Sequence, residues 1–263
     1  MIIGIAGSGR VAQALGRHLG AQLIAGRSPE HTRQAAEFIG SPRVVPFEEL
    51  VCDRLIIAVT DRAIEEVVAL VPAPSIALHT CGAHGAELLH ALRNQGTSCG
   101  ALHPLQTFAS AESGFAALTH SAFAVDGDPE AVAWAEDIAN LLQGTILRIP
   151  AAARALYHAA AVLASNDVVA TVDAAIQILQ GIGIAEPEAR RALGPIARAA
   201  LENTLENGAE AALTGPVERS DFETVHRHLV ALKNVPRAIE ELYRAAGMQA
   251  LDISRRRRLN RNG

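Results

Sequence analysis

The sequence is poor in aromatic residues and in lysine. Aromatic residues make up 3% of the 263 positions, and Lys233 is the single lysine. Hydrophobic residues nevertheless make up 49% of the chain, so the core must consist mainly of Ala, Leu, Ile and Val, as in many α/β and helical proteins. A chain of this length can form one large domain or two modest ones.

Cysteine is also scarce. Cys52, Cys81 and Cys99 lack the close spacing of a CxxC motif or a zinc ribbon. An odd number of cysteines without a secretory signal indicates reduced thiols. The chain opens directly on the strand-like MIIGIAG, and no uncharged apolar run reaches the length of a membrane span. We therefore expect a cytoplasmic protein with no membrane partner.

The charge balance argues against a nucleic-acid partner. The formal net charge is -5 and the pI is near 6.1, whereas proteins that bind nucleic acid usually present a strongly basic surface. The one strong charge run is RRRR at 255–258. It predicts a solvated basic tail over 255–263, with contact to phosphates or to a partner as the alternative.

The first part of the chain alternates between strand-like and helix-like segments. β-branched, apolar runs typical of strands occupy 2–6, 22–25, 54–59, 75–80, 97–103, 121–125 and 145–149. Amphipathic segments of helix length, such as 10–19 and 129–142, separate most of them. This alternation predicts an α/β fold with a doubly wound, mostly parallel sheet.

The pattern changes at Pro150. Ala-rich helical periodicity continues through 151–181, 186–207 and 218–247, with Gly and Pro at the breaks. The predicted organisation is thus an α/β domain over 1–149 and an all-α domain over 150–254.

A glycine-rich loop follows the first strand. Gly7, Gly9 and Ala12 form a G-x-G-x-x-A pattern that opens a helix. The first glycine permits a tight turn, the second lets pyrophosphate approach, and the alanine permits close helix packing, while the helix N-terminus offers free N–H groups to the phosphates. The pattern predicts a Rossmann-type dinucleotide site. Its candidate contacts in this loop are Gly7, Ser8, Gly9, Arg10 and Val11.

The end of the second strand indicates which dinucleotide binds. NAD sites usually carry an acidic residue there for the ribose hydroxyls, but this chain has Gly26, followed by Arg27 and Ser28. A guanidinium and a hydroxyl can bind a 2′-phosphate, which an acid would repel. The sequence therefore predicts NADP. The alternative is a surface arginine beside a serine that caps the next helix.

Two further strand ends point to the same crevice, since ligands in such sheets bind at the carboxyl ends of strands. Val59 and Thr60 end one strand, and Thr80 ends the next. We expect the first two beside the ribose and nicotinamide, and Thr80 near the reacting ring.

Four motifs together resemble a known family. They are HTCGAHG at 79–85, GALHPLQTF at 100–108, LYHAAAVLASN at 156–166 and LTGPVERSDFETVHRHL at 213–229. The chain resembles bacterial Rossmann-like proteins whose helical second half is a domain of unknown function. These are similar in architecture to ketopantoate reductases, pyrroline-5-carboxylate reductases and β-hydroxyacid dehydrogenases. The resemblance implies an NADP-dependent oxidoreductase that forms a homodimer through its helical domain.

One departure from those relatives concerns the first helix of the second domain. Ketopantoate reductases and β-hydroxyacid dehydrogenases carry a catalytic lysine there, with an asparagine one turn later. Here that helix has no lysine and offers Arg154, His158, Ser165 and Asn166. At 100° per residue, Ser165 lies roughly 20° and Asn166 roughly 80° from His158 around one helix.

Reduction of a carbonyl or imine needs a proton donor and groups that fix the substrate. We interpret His158 as the general acid, since histidine titrates near neutral pH, with Asn166 orienting the substrate and Ser165 assisting. The alternative is that these side chains bond to loops or to a dimer partner.

His103 is the rival donor. It lies at the end of a strand, and Pro104 favours an extended backbone that can direct the ring into the crevice; its alternative role is to support the loop. His79 also ends a strand, where a structural role is favoured. No carboxylate or cysteine completes a recognisable metal spacing with His79, His84 and His103, so we expect no metal.

LTGPVERSD offers a possible anion site. Thr214 and Arg219 could hold a substrate carboxylate through charge-assisted bonds. Alternatively, Ser220 or Asp221 simply caps the next helix.

The predicted function is NADPH-dependent hydride transfer to a small carbonyl or imine compound, with 2-keto acids among the candidates. A non-catalytic NADPH-binding sensor or scaffold is the alternative from another class. A metal hydrolase is a distant third.

Overall fold

The computed structural model describes residues 1–262. It divides into two compact units, the first spanning Met1–Leu163 and the second beginning at Ala164. Within the described residues the first unit carries all eight strands and seven of the helices. The strands are β1 Ile3–Ala6, β2 Leu23–Ala25, β3 Arg43–Val44, β4 Arg54–Ile57, β5 Ile76–His79, β6 Ser98–Leu105, β7 Ala122–Gly127 and β8 Thr145–Arg148.

The strands form one sheet in the order β3-β2-β1-β4-β5-β6-β7-β8. All neighbours are parallel except β6 and β7, which pair antiparallel with His103 opposite Ala124. Most of the central strands are buried on both faces, which is why they appear as continuous apolar runs in the sequence. This confirms the predicted α/β class with a mostly parallel sheet.

Helices cover both faces of this sheet. On one face α1, α2, α5 and α6 supply small and branched side chains such as Leu15, Ala35 and Trp134, and on the other α3 and α4 supply Val67 and Leu92. The helices of the first unit are α1 Arg10–Leu19, α2 Pro29–Ile39, α3 Ile64–Leu70, α4 His90–Arg93, α5 Ala111–Leu118, α6 Pro129–Leu141 and α7 Arg154–Ala164, the last of which ends at the unit boundary.

The second unit is helical, as predicted for the C-terminal part. Its buried apolar cluster contains Ala174, Leu232 and Ile239. The helices are α8 Asn166–Gly181, α9 Glu186–Asn207, α10 Ala209–Ala212, α11 Phe222–Ala231 and α12 Arg237–Asn262.

The first unit extends beyond the boundary predicted after residue 149. Helix α7 belongs to it because Arg154 is fully buried and its Nη2 donates to the carbonyl oxygen of Ala124 on β7 at 3.4 Å. One turn later, Tyr157 bonds to His103 of β6.

The stretch 156–166 is not one uninterrupted helix, which corrects the predicted geometry. Helix α7 ends at Ala164, and Ser165 has non-helical angles of φ -130° and ψ -77° before α8 begins at Asn166. The angular separations of Ser165 and Asn166 from His158, which assumed 100° per residue in one helix, therefore do not apply.

The four arginines 255–258 lie inside α12, where Arg255, Arg256 and Arg258 are exposed and Arg257 is partly buried. Arg257 donates to the carbonyl oxygen of Leu213 and lies 3.3 Å from Glu218. Arg258 donates to Ser220 Oγ at 2.7 Å. These bonds tie the last helix to the 213–220 segment. Gly263 lies outside the described residues.

Among the described residues, the helical stretch Ala151–Gly181, which breaks at Ser165, is long and apolar enough to cross a membrane by length and composition alone. The sequence had suggested none. Core helices of soluble proteins pass the same test when they are mostly buried, but only 11% of the most apolar window here is buried in the chain.

Candidate functional site

A cavity of about 810 Å³ lies in the first unit at the carboxyl ends of β1, β2 and β4. Nine of the ten residues predicted to contact a dinucleotide line it: Gly7, Ser8, Gly9, Arg10, Val11, Arg27, Val59, Thr60 and Thr80. The tenth, Ser28, does not.

The loop between β1 and α1 is shaped for an anionic ligand. Gly7 has φ +129°, and a Cβ there would overlap the carbonyl oxygen of Ala58, so only glycine fits. A Cβ on Gly9 would meet nothing within 4 Å and would project into open space. Helix α1 has no side-chain cap and no acidic residue in its first turn. Its N–H groups are thus available to phosphate oxygens, and the loop fits a dinucleotide.

The end of β2 leaves no room for an acidic side chain. A Cβ on Gly26 would overlap Thr32 Oγ1, which is buried and donates to the carbonyl oxygen of Ser28 at 2.6 Å. Arg27 is exposed and lines the cavity. Ser28 caps α2, since its Oγ lies 3.4 Å from the backbone nitrogen of His31. Capping is the alternative role that the sequence analysis had left open for this serine.

The far wall of the cavity was missed by the sequence analysis. It is formed by Pro46, Phe47, Glu48, Ala63, Glu66, Val67 and Leu70. The first three follow β3, a two-residue exposed strand that the apolar pattern did not reveal. Residues 46–48 could have been located from Val44 and Val45, which suggest a short strand that ends at Pro46. The residues after a strand end in such a sheet lie at the ligand crevice.

Arg10 joins the loop before α1 to the segment after β6. Its Nη1 donates to the carbonyl oxygen of Phe108 at 2.9 Å, and both residues line the cavity. A Cβ on Gly114 would overlap the Phe108 ring, so that ring packs directly on α5. Phe108 is a second wall residue that the sequence analysis did not identify as a contact.

A cluster of aromatic and imidazole rings begins two residues beyond cavity-lining Thr80. At Gly82 a Cβ would lie 2.7 Å from Cδ2 of His158 and 2.8 Å from Nε2 of His103. The two imidazole centroids are 5.9 Å apart, edge to face. The structure therefore brings together the two histidines predicted as rival donors, against the backbone of Gly82.

Tyr157 completes this cluster. Its phenol oxygen is 2.8 Å from Nδ1 of His103, and the two rings meet edge to face. Burial lowers the pKa of His103 to about 4, with the charges of His158 and Arg154 acting in the same direction, so this imidazole is neutral at pH 7. Burial raises the pKa of Tyr157, which keeps the phenol protonated.

His79 has a structural role. Its Nδ1 accepts from the backbone N–H of Cys81 at 3.1 Å, so the ring proton is on Nε2, which donates to the carbonyl oxygen of Gly85 at 2.7 Å. Burial lowers its pKa to about 4. Both ring nitrogens are thus used to fix the 79–85 turn, and this histidine cannot ligate a metal. No potential metal cluster of three His, Cys, Asp or Glu side chains occurs in the described part of the chain.

Arg154 lies beneath the cluster as a fully buried cation. Its Nε and Nη1 have no hydrogen-bond partner among the described residues. Burial lowers its pKa, and the negative charge of Asp126 is the largest influence in the opposite direction. The sequence analysis had noted this arginine without giving it a role.

The remaining predicted substrate residues belong to the second unit. Ser165 Oγ donates to Asn166 Oδ1 at 3.1 Å, at the start of α8. Thr214 and Arg219 are exposed in the segment before α11. Asp221 caps α11 by accepting from the N–H of Thr224 at 3.1 Å. Hydrogen bonds from Thr224 lower the pKa of this carboxyl group. The position therefore agrees with the capping alternative.

Residues 121–250 match the family model described as a domain of unknown function, DUF2520. This segment is just under half of the chain. No curated protein sequence matches the chain.

Solved structures resemble nearly the whole chain. Protein TM1727 from Thermotoga maritima has a TM-score of 0.79 at 22% identity, covering 98% of this chain and 100% of its own. Protein BF3122 from Bacteroides fragilis, named as a candidate NADP oxidoreductase, gives 0.77 at 20% identity, with 95% and 97% covered. A 1-pyrroline-5-carboxylate reductase from Streptococcus pyogenes gives 0.63 at 18% identity, with 97% and 98% covered. These likenesses and the family match confirm the predicted resemblance to Rossmann-like proteins with a helical C-terminal region.

Proposed function

We propose that this protein is an NADPH-dependent oxidoreductase that reduces a small carbonyl or imine compound. The observation that carries the proposal is the continuity of two features within one unit. Thr80 lines the cavity together with the 7–11 loop, and two residues later His103 and His158, with Tyr157 bonded to His103, pack against Gly82. The names of solved structures with the same fold, which include reductases, support this reaction class.

In this proposal the 7–11 loop and the start of α1 hold the pyrophosphate. When bound, the nicotinamide supplies a hydride to the substrate carbon. The chain's own residues then have three tasks. Val59, Thr60 and Thr80 border the ring, the cluster at Gly82 supplies the proton, and the buried face of the site excludes water.

We propose NADP over NAD because Gly26 cannot carry the acidic side chain that ribose hydroxyls favour, whereas Arg27 lines the same end of the cavity. Arg27→Ala should weaken NADPH binding about 10- to 100-fold, as expected for a hydrogen bond to a charged group, and leave NADH binding unchanged. Arg33→Ala, an exposed change on α2 away from the cavity, is the matched control. Equal or stronger binding of NADH by the unmodified chain would rule out the assignment.

The direct test of the function combines two measurements. Fluorescence titration with NADPH and NADH establishes binding, and a panel of keto acids, aldehydes and cyclic imines is then screened for oxidation of the bound NADPH. Turnover with a carbonyl or imine supports the proposal. Tight NADPH binding with no turnover across the panel would favour a non-catalytic sensor instead.

A sharper test of the cofactor loop uses Gly9→Asp. Gly9 has the extended N-cap conformation, and its Cβ direction is open, so aspartate can cap α1 and raise the melting temperature. The same carboxylate would repel pyrophosphate and abolish dinucleotide binding. Gly181→Ala, also at an open position, should leave binding unchanged. A Gly9→Asp protein that binds NADPH normally contradicts the proposed site.

His158 and His103 are the sequence-predicted donors, and Asn166, Ser165, Thr214 and Arg219 are the proposed substrate groups of the second unit. His158→Ala and Asn166→Ala should each lower turnover while NADPH affinity changes little. Normal turnover in both variants would assign these two side chains to structure alone.

We also propose that the second unit associates with a second copy of the chain. In its described part, ten large apolar side chains are exposed, among them Leu201 and Leu205, the latter 76% exposed. Monomeric proteins rarely leave so much apolar surface in contact with water. A second copy presenting the same helices would cover it with an equally apolar surface.

Light scattering tests this association. The unmodified chain should be a dimer, and Leu201→Glu with Leu205→Glu should yield monomers, whereas Leu141→Glu on the first unit should not. A monomeric unmodified chain refutes the proposal, and sedimentation of that monomer with phosphatidylcholine vesicles would assign the apolar helices to a membrane surface. A cytoplasmic location stays a prediction.

A further inference from the structure

Tyr157 is placed to take part in the chemistry. It is half-buried on α7, one turn after Arg154, and adjoins His158 in sequence. Its phenol oxygen is held 2.8 Å from Nδ1 of His103. The cluster therefore presents a phenol beside the two histidines, and its Gly82 follows cavity-lining Thr80 by two residues.

His103 is poorly placed to donate a proton itself. Its Nδ1 is engaged by the phenol, and its Nε2 faces the backbone of Gly82, with only 2.8 Å to the position of a Cβ on that glycine. As a neutral imidazole it holds a single ring proton. With that proton on Nδ1, the imidazole donates to the phenol oxygen and leaves the phenol O–H free to point elsewhere.

Arg154 supplies the electrostatic reason for a reactive phenol. It is 0% exposed, and two of its three guanidinium nitrogens have no partner in residues 1–262. A buried cation whose hydrogen bonds are incomplete is unfavourable, although the negative charge of Asp126 offsets part of the cost of burying Arg154. Negative charge developing on the phenol oxygen would offset this cost, so the environment favours the state after proton transfer over the resting state.

We propose that Tyr157 donates the proton to the substrate and that Arg154 and the Nδ1–H of His103 stabilise the phenolate that is left. The O–H bond of Tyr157 breaks, an N–H or O–H bond forms on the substrate heteroatom, and the electron pair stays on the phenol oxygen. The phenolate regains a proton from solvent, which reaches this half-buried side chain. The proposal rests on the proposed reductase function, in which a dihydronicotinamide dinucleotide is the reductant.

Other ionisable groups also act on this cluster. His158 acts on His103 from α7 and His79 acts on it from β5, Asp61 acts on His103 from the segment after β4, and Asp126 of β7 acts on Arg154. Asp61 opposes negative charge near His103, whereas Arg154 favours it on Tyr157. His158 is the rival donor. Arg154 and His103 act through the phenol and are positioning residues.

The chain offers a clean probe because it contains only two tyrosines, Tyr157 and Tyr243. In a Tyr243→Phe chain, biosynthetic 3,5-difluorotyrosine labels position 157 alone, and its phenol ionises near neutral pH, where fluorine NMR can follow it. A Tyr157→Phe chain, labelled at position 243 alone, is the internal control. Neither measurement requires a cofactor or a substrate.

Arg154→Met should raise the titration midpoint of the label at 157 by about one pH unit or more, because a nearby opposite charge shifts a pKa by that amount. Arg154→Lys, which keeps the charge, should restore most of the original midpoint. The label at 243 should not move in either variant. An unchanged midpoint at 157 in both variants, each shown to be folded by circular dichroism, overturns the role of Arg154.

Single-turnover reduction tests the donor itself. Tyr157→Phe should slow the reaction about 100-fold with NADPH affinity unchanged. Its single-turnover rate should fall further than that of His158→Ala. An unmodified chain that reduces no compound of the panel overturns the proposed function, while the titration still decides the coupling of the phenol to Arg154. An active unmodified chain with an equally active Tyr157→Phe variant overturns only the donor role.

Discussion

The chain contains two tyrosine–histidine pairs with nearly the same geometry. In the first unit Tyr157 and His103 have a 2.8 Å bond and ring centroids 5.7 Å apart at 86°. In the second unit Tyr243 and His228 have a 2.9 Å bond and centroids 6.0 Å apart at 80°. The first pair is packed beside a buried cation, whereas the second connects α11 and α12 with His228 exposed.

The difference between the pairs lies in what surrounds the bond. Both phenols have a pKa raised by burial, but only that of Tyr157 is also subject to the opposing charge of Arg154. Under our proposal, a hydrogen bond of one length is a structural contact in one place and supports proton transfer in another. Desolvation and local charge decide between these roles.

The largest expected difference between the two pairs is in how low pH affects the stability that each contributes. The pKa of His103 is lowered from 6.5 to about 4 in the folded chain. The stability that comes from keeping this imidazole neutral is therefore fully present above pH 6.5 and is lost as the pH falls towards 4. This loss is about 3 kcal/mol in the free energy of unfolding. His103→Gln should flatten the decline measured by urea unfolding between pH 7 and pH 5. His228→Gln should change it less, because water already reaches that imidazole; equal effects would remove the distinction.

Gly82, which contacts the first pair, and Gly247, one turn after Tyr243 of the second, offer a second comparison. Gly82→Ala would press a methyl group between His103 and His158, and turnover should fall about 100-fold, the cost of misplacing catalytic groups by about an ångström. Gly247→Ala, one turn after Tyr243 in α12, meets nothing within 4 Å. It should leave turnover unchanged and raise stability by up to about 1 kcal/mol. Normal kinetics in Gly82→Ala would show that the first pair is not part of the site.

The smallest expected effect is on stability when each phenol is removed. Tyr157→Phe leaves a mostly buried imidazole nitrogen without a partner and should cost about 1–3 kcal/mol. Tyr243→Phe leaves an exposed imidazole that water can satisfy, and should cost no more than about 0.5 kcal/mol. Urea midpoints of the two variants give the comparison directly, and a larger loss in Tyr243→Phe would reverse it.

The sequence predicted those elements whose signal is local. Helix α1 spans the predicted residues 10–19, because its apolar period is strong and Gly20 ends it with a left-handed backbone. Strand β3 was missed because two exposed residues carry no apolar pattern. The break at Ser165 was also missed, since an Ala-rich period continues through it without glycine or proline.

The site shows the same limit. Glycine spacing located the loop that lines the cavity, because the turn between β1 and α1 is encoded in consecutive residues. The bond between Tyr157 and His103 joins positions 54 residues apart, and only the packing of α7 against β6 creates it. Likewise, four consecutive arginines suggested a solvated tail, whereas Arg257 and Arg258 find partners about 40 residues earlier.

The close fit of Gly26 against Thr32 has a consequence for redesign. An acidic residue at 26 would collide with a buried hydroxyl that bonds within the first turn of α2. We therefore expect a side chain at 26 to be tolerated only together with a smaller side chain at 32. An engineer who wishes to change the cofactor should vary both positions in the same library.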